Sequence, residues 1–119
     1  MANPNIVDVT QIYGNTLYYA LGTSITSLKA GSANNVLKIN TIIVANIDGT
    51  NDATCDIGVL RSSVLYYFAK GINVPANSSL IVSSKDTAFY LEESDVLQGL
   101  ASAASDLQVS LSYEVITDT

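Results

Sequence analysis

The stretch LQVSLSYEV, residues 107–115, sets Leu107, Val109, Leu111, Tyr113 and Val115 on one parity and Gln108, Ser110, Ser112 and Glu114 on the other. A repeat of two sends alternate side chains to opposite faces of an extended chain, so this segment is a strand with one dry and one wet face. ATCDIGV repeats the pattern, with Ala53, Cys55, Ile57 and Val59 on the dry parity. Further strands are predicted at 16–21, 25–28, 36–47 (with room for a bend), 64–69, 79–83, 88–91 and 96–102. LGT, KAGSANN, NIDGTND, VPANSS, SSKD and EESD separate them as turn signals. Only SDVLQGLASAASD competes as a helix, with Ser94 as its cap; Gly99 and the density of serines favour a strand there.

The predicted fold is therefore all-β, an antiparallel β-sandwich or jelly roll of about eight or nine strands. A chain of 119 residues fits one such domain with one real core. Residues 1–15 read as an N-terminal arm with a short strand and 16–119 as the sandwich. MANPN cannot open a regular ladder, whereas IVDVT offers Ile6, Val7 and Val9 as one short strand for a sheet edge.

Composition narrows the function. The net charge is −6, and the five cations, Lys29, Lys38, Arg61, Lys70 and Lys85, stand singly. Binding to phosphates needs clustered cations, so neither nucleic acid nor an anionic membrane is an expected partner. There is no secretory leader pattern and no apolar run of membrane-spanning length, so synthesis in a cytoplasm is expected. Cys55, the one cysteine, reads as a small core hydrophobe.

Catalysis finds little to work with. The chain has no histidine, no glycine-rich phosphate loop and no nucleophile elbow. Glu92 and Glu93 are neighbours on a strand end and point apart. The acidic loop NIDGTND lacks the ligand order and closing glutamate of a calcium loop and reads as a hairpin turn, with Gly49 supplying a positive φ. No catalytic residue, cofactor or metal is predicted.

Two segments break the half-wet rule. VLYYFA (64–69) is apolar throughout, and TIIVANI (41–47) carries aliphatics on both parities. A second cover is implied, either another subunit or the protein's own loops. In Tyr18–Tyr19 and Tyr66–Tyr67 one ring of each pair must leave the core side, and tyrosine is favoured at interfaces. Tyr18, Tyr66 and Phe68, with Ile6, Val7 and Val9 of the arm, are the predicted interface residues. Tyr66 and Phe68 (or Leu65 and Tyr67 on the other parity) would lie beside the outward aliphatics of 41–47.

VANIDGTNDATCDIGV, INVPANSSL and YLEESDVLQGLASAASDLQVSLSYEVI together resemble a group of small virion structural proteins of tailed phages of aquatic bacteria. In that group an ANxDGTNDAT turn, a VPAxSSL turn, a YLEEGDxL turn and a C-terminal hairpin follow in this order. The likeness covers roughly residues 40 to 117, and it departs at Ser94, where the group usually has glycine. It implies a non-enzymatic β-sandwich subunit of the virion, assembled in the host bacterial cytoplasm. A capsid cement or decoration protein that bridges the head shell, as a homotrimer on the major capsid protein, is the first expectation. A neck or tail component is the alternative, and a carbohydrate-binding module a more distant one.

Overall fold

The computed structural model describes residues 11–117, which form nine strands and one 3₁₀ turn at Lys85–Thr87. The strands are β1 (Gln11–Ala20), β2 (Thr26–Ala30), β3 (Asn35–Asn46), β4 (Ala53–Arg61), β5 (Val64–Val74), β6 (Ser79–Ser83), β7 (Phe89–Leu91), β8 (Val96–Ala101) and β9 (Leu107–Thr117). All pairings are antiparallel, in two sheets. One runs β1-β9-β3, with β6 and β7 sharing the far side of β3; the other runs β2-β8-β4-β5. The expected sandwich is the observed architecture.

The core follows from the period-two pattern and from one deliberate break in it. The β3 residues in the core cluster are Leu37 and Ile39, then Ile42 and Val44, a switch of parity. The register against β9 shifts between Ile39 and Thr41, so Asn40 is the extra residue of a bulge. One inserted residue turns every later side chain to the other face, which here keeps both halves of the strand on the core. Leu107, Val109 and Leu111 of β9 and Ala53, Cys55, Ile57 and Val59 of β4 close the same cluster, with Leu97 and Ala101 of β8. Each buried Leu or Ile contributes roughly 1.5–3 kcal/mol.

Several boundaries move. β1 begins at Gln11 rather than at 16, and β5 runs on to Val74 instead of stopping at 69. Residues 96–101 form β8, so the helical alternative is not taken. β3 and β4 lie in different sheets, so the acidic loop between them is a crossover rather than a hairpin. Gly49 keeps a negative φ, because Asp48 makes the turn. The Asp48 carboxylate accepts the backbone N–H groups of Thr50 at 2.8 Å and Asn51 at 3.3 Å. These two bonds hold it below the usual carboxylate range.

Candidate functional site

The apolar strand at 64–69 is half of β5, and β5 is the edge of its sheet. Its register against β4 slips twice, between Cys55 and Ile57 and between Ile57 and Gly58. At the first slip Asp56 faces both Lys70 and Gly71. Gly71 takes a φ of 61°, a conformation open to glycine at no steric cost. The Asp56 carboxylate accepts the Gly71 N–H at 2.7 Å and the Lys70 ammonium at 3.1 Å. Alternation predicts a wet Asp56, yet the residue is only 7% exposed, because the bulge folds backbone over it. Its hydrogen bond raises the Lys70 pKa, and the ammonium also sits 4.9 Å from the centre of the Tyr67 ring.

The second slip makes Phe68 the extra residue and settles the parity. Tyr66 pairs with Val59, whose parity is that of the core, while Tyr67 pairs with Gly58 on the opposite face. At Gly58 a Cβ would come within 2.5 Å of the Tyr66 carbonyl oxygen, so only glycine lets the two backbones approach this closely. Phe68 packs on Phe89 of β7, ring centres 4.4 Å apart and planes tilted by 36°. Val59, Arg61, Tyr66, Phe68, Phe89 and Tyr90 then line an open groove of about 370 Å³ where the edges of the two sheets meet. Tyr66 is 60% and Phe68 49% exposed, so among the described residues the protein's own loops leave this groove uncovered.

One end of the groove is fixed by charge. Arg61 donates from Nε to Asp95 at 2.7 Å and from Nη2 to the other Asp95 oxygen, a two-point grip, and also to Glu92 at 2.8 Å. Asp95 is buried at 2% exposure and accepts the Glu92 N–H as well, at 2.9 Å. The Arg61 bond chiefly, with the backbone bond and the guanidinium charge, holds the Asp95 carboxyl below its usual range against the opposing effect of burial. The Arg61 pKa is raised in return.

Of the predicted interface residues, the structure brings Tyr66 and Phe68 together. It sets Tyr18 apart, on β1 at the opposite end of the other sheet, where the ring is 73% exposed. Ile6, Val7 and Val9 lie outside the described residues. The expected continuity with 41–47 is not formed, because β3 belongs to the other sheet. There Ile42 and Val44 point into the core, Ile43 and Ala45 turn outward half-buried, and Ile47, just past the strand, is exposed. Phe89, Tyr90 and the Arg61–Asp95 pair were missed. A basic residue ending one strand and an acidic turn opening another were the signals, but nothing local links positions 34 residues apart.

Polar side chains elsewhere are mostly occupied by the fold. The buried Asn46 donates to the carbonyls of Asn51 and Val74 and accepts from the N–H of Asp48. Asp52 accepts from the N–H of Ala76 and the side chain of Asn73, tying the crossover to the β5–β6 loop. Among the described residues no group of three His, Cys, Asp or Glu side chains is placed to hold a metal ion.

No protein-family model matches the chain, and no curated protein does. Among solved structures, the fold is similar to a chain of the acidic stable capsid structure of Helicobacter pylori bacteriophage KHP30. The TM-score is 0.58 at 11% identity, covering 94% of this chain and 92% of that one. A second, weaker likeness is to a chain of Bacillus endospore appendages, a family of disulfide-linked pili. Its TM-score is 0.45 at 10% identity, over 92% and 88% of the two chains.

Proposed function

We propose that this protein is a non-enzymatic structural subunit of a phage particle, and that it acts by docking the β5–β7 groove onto a neighbouring virion protein. The observation that carries the reading is the exposed aromatic surface itself. Tyr66, Phe68 and Tyr90 stand exposed along one groove, each with apolar area whose burial would favour association. A protein of net charge −6 that keeps such a surface bare has a use for it. The sandwich likeness to a chain of a phage capsid structure supports the setting, as does the order of turn motifs from residue 40 to 117.

Within the particle, a capsid cement or decoration role on the major capsid protein is the reading we favour, with a neck or tail component as the alternative. A rigid sandwich with two bulges at its edge is suited to bridging subunits, because it presents rings without a loop that must be ordered on binding.

The test is attachment. Purified protein added to particles lacking it should co-sediment with them, and Tyr66→Asp with Phe68→Asp should abolish this while the circular dichroism spectrum persists. Unimpaired attachment by the double variant would refute the groove as the docking surface. A sugar panel in a thermal-shift assay addresses the carbohydrate-binding alternative, for which a rise in midpoint would be required.

A further inference from the structure

Among the described residues the two sheets have edges at β1, β2, β5, β6 and β7, and all but one are built against further pairing. Unprotected edges recruit other strands, so proteins shorten, charge or bulge them. β2 has five residues, a register shift and Lys29; β6 has five and a register shift; β7 has three; β5 has two shifts and Lys70. β1 differs on every count. It has ten residues, QIYGNTLYYA, without charge or proline, in unbroken register with β9 from Gln11 to Ala20. Among the described residues no strand pairs with its other side.

Both faces of β1 are apolar and exposed. Leu17 pairs with the core residue Leu111 and leans on the core, so odd positions face inward and even positions outward. Ile12 and Tyr18 are then outward, and Tyr13 and Tyr19 inward but beyond the cover of the second sheet.

We propose that β1 pairs antiparallel with β1 of a second copy, joining two of the larger sheets across a twofold axis at Asn15. The axis is perpendicular to the sheet, so residues of like parity meet and each face continues from one copy into the next. This register sets Ile12 opposite the partner's Tyr18, Tyr13 opposite the partner's Leu17 and Gln11 opposite the partner's Tyr19. Both outward apolar side chains thereby gain an apolar partner, and Asn15 meets its own copy. The strand itself carries no charged side chain, so no like charges face each other directly across the pairing. The pairing does not depend on the virion setting.

Sedimentation equilibrium of the full chain at micromolar concentration tests it without any particle, so its failure and that of the proposed docking role are read separately. The wild-type protein should run at twice the chain mass. Ile12→Lys with Tyr18→Lys opposes like charges at both ends of the pairing and should halve that mass without changing the circular dichroism spectrum. Ile12→Lys with Tyr18→Glu opposes unlike charges and should restore it. Asn15→Cys, which leaves the apolar faces intact, should cross-link to a disulfide dimer on oxidation, and Gln11→Cys should not. A wild-type protein at one or three chain masses would overturn the proposal, as would a double-lysine variant that stays dimeric. Failure of Asn15→Cys to cross-link would overturn the register.

Discussion

The Phe68 ring lies 4.4 Å from the Phe89 ring, centre to centre, and joins the edge strand of one sheet to the edge strand of the other. Neither residue is in the main core, yet together they set the floor of the groove between Tyr66 and Tyr90. Replacing Phe89 by Ala removes that floor. Phe89 is partly buried against the core, so the stability loss should be about 2 kcal/mol. Particle attachment should fall much further. Equal losses in a melting curve and in a binding isotherm would assign the pair to folding alone.

The β4–β5 hairpin turns on Ser62 and Ser63, with φ of 52° and 66°. Two successive left-handed residues make the tight turn that Asn-Gly favours, and serine carries a steric penalty there. Ser62→Asn with Ser63→Gly should stabilise the fold by about 1 kcal/mol, seen as a rise of several degrees in the thermal midpoint. An unchanged or lower midpoint would contradict the turn geometry.

Asp95 sets an acid limit. Its carboxyl is held below the ordinary value, so the stability it confers is fully present above about pH 4 and is lost as pH falls through the depressed folded value. Asp95→Asn should destabilise the protein at pH 7 by about 2 kcal/mol, through the weakened charge-assisted bonds to the half-exposed Arg61. The variant should also lose part of the wild-type decline in stability below pH 4. Parallel pH profiles for the two proteins would contradict the Arg61–Asp95 assignment.

Cys55 is fully buried, and burial, with the Asp56 charge, pushes its thiol up to about 11. Thiolate is the reactive form, so the native protein should label with a thiol reagent orders of magnitude more slowly than the unfolded protein. Rapid native labelling would mean that Cys55 does not face the core from β4.

The sequence made the strands and the core legible because alternation is a local signal. Leu107 to Val115 and Ala53 to Val59 could be assigned to faces from their own neighbours. What alternation could not reveal was a bulge. The extra residues at Asn40, Phe68 and the Lys70–Gly71 step change which face a side chain takes, and they explain the buried Asp56 and the unresolved parity of Tyr66. Pairing across the sheets was hidden for the same reason. Asp48–Gly49 looks like a hairpin from inside the loop, and only the partners of β3 and β4 show a crossover. Of the site, Tyr66 and Phe68 were visible as surplus aromatics, whereas Phe89, Tyr90 and Arg61 join them only through the tertiary fold. Ser94 stands where the resembling group has glycine, and its φ of 71° gives the physical reason for that preference.

On this reading the β5–β7 groove is a contact surface within a particle. A density map of purified virions at side-chain resolution tests it most directly. The chain should be an ordered component of the particle, with Tyr66, Phe68 and Tyr90 covered by a neighbouring protein. Absence of the chain from the particle, or a groove open to solvent in every copy, would contradict it.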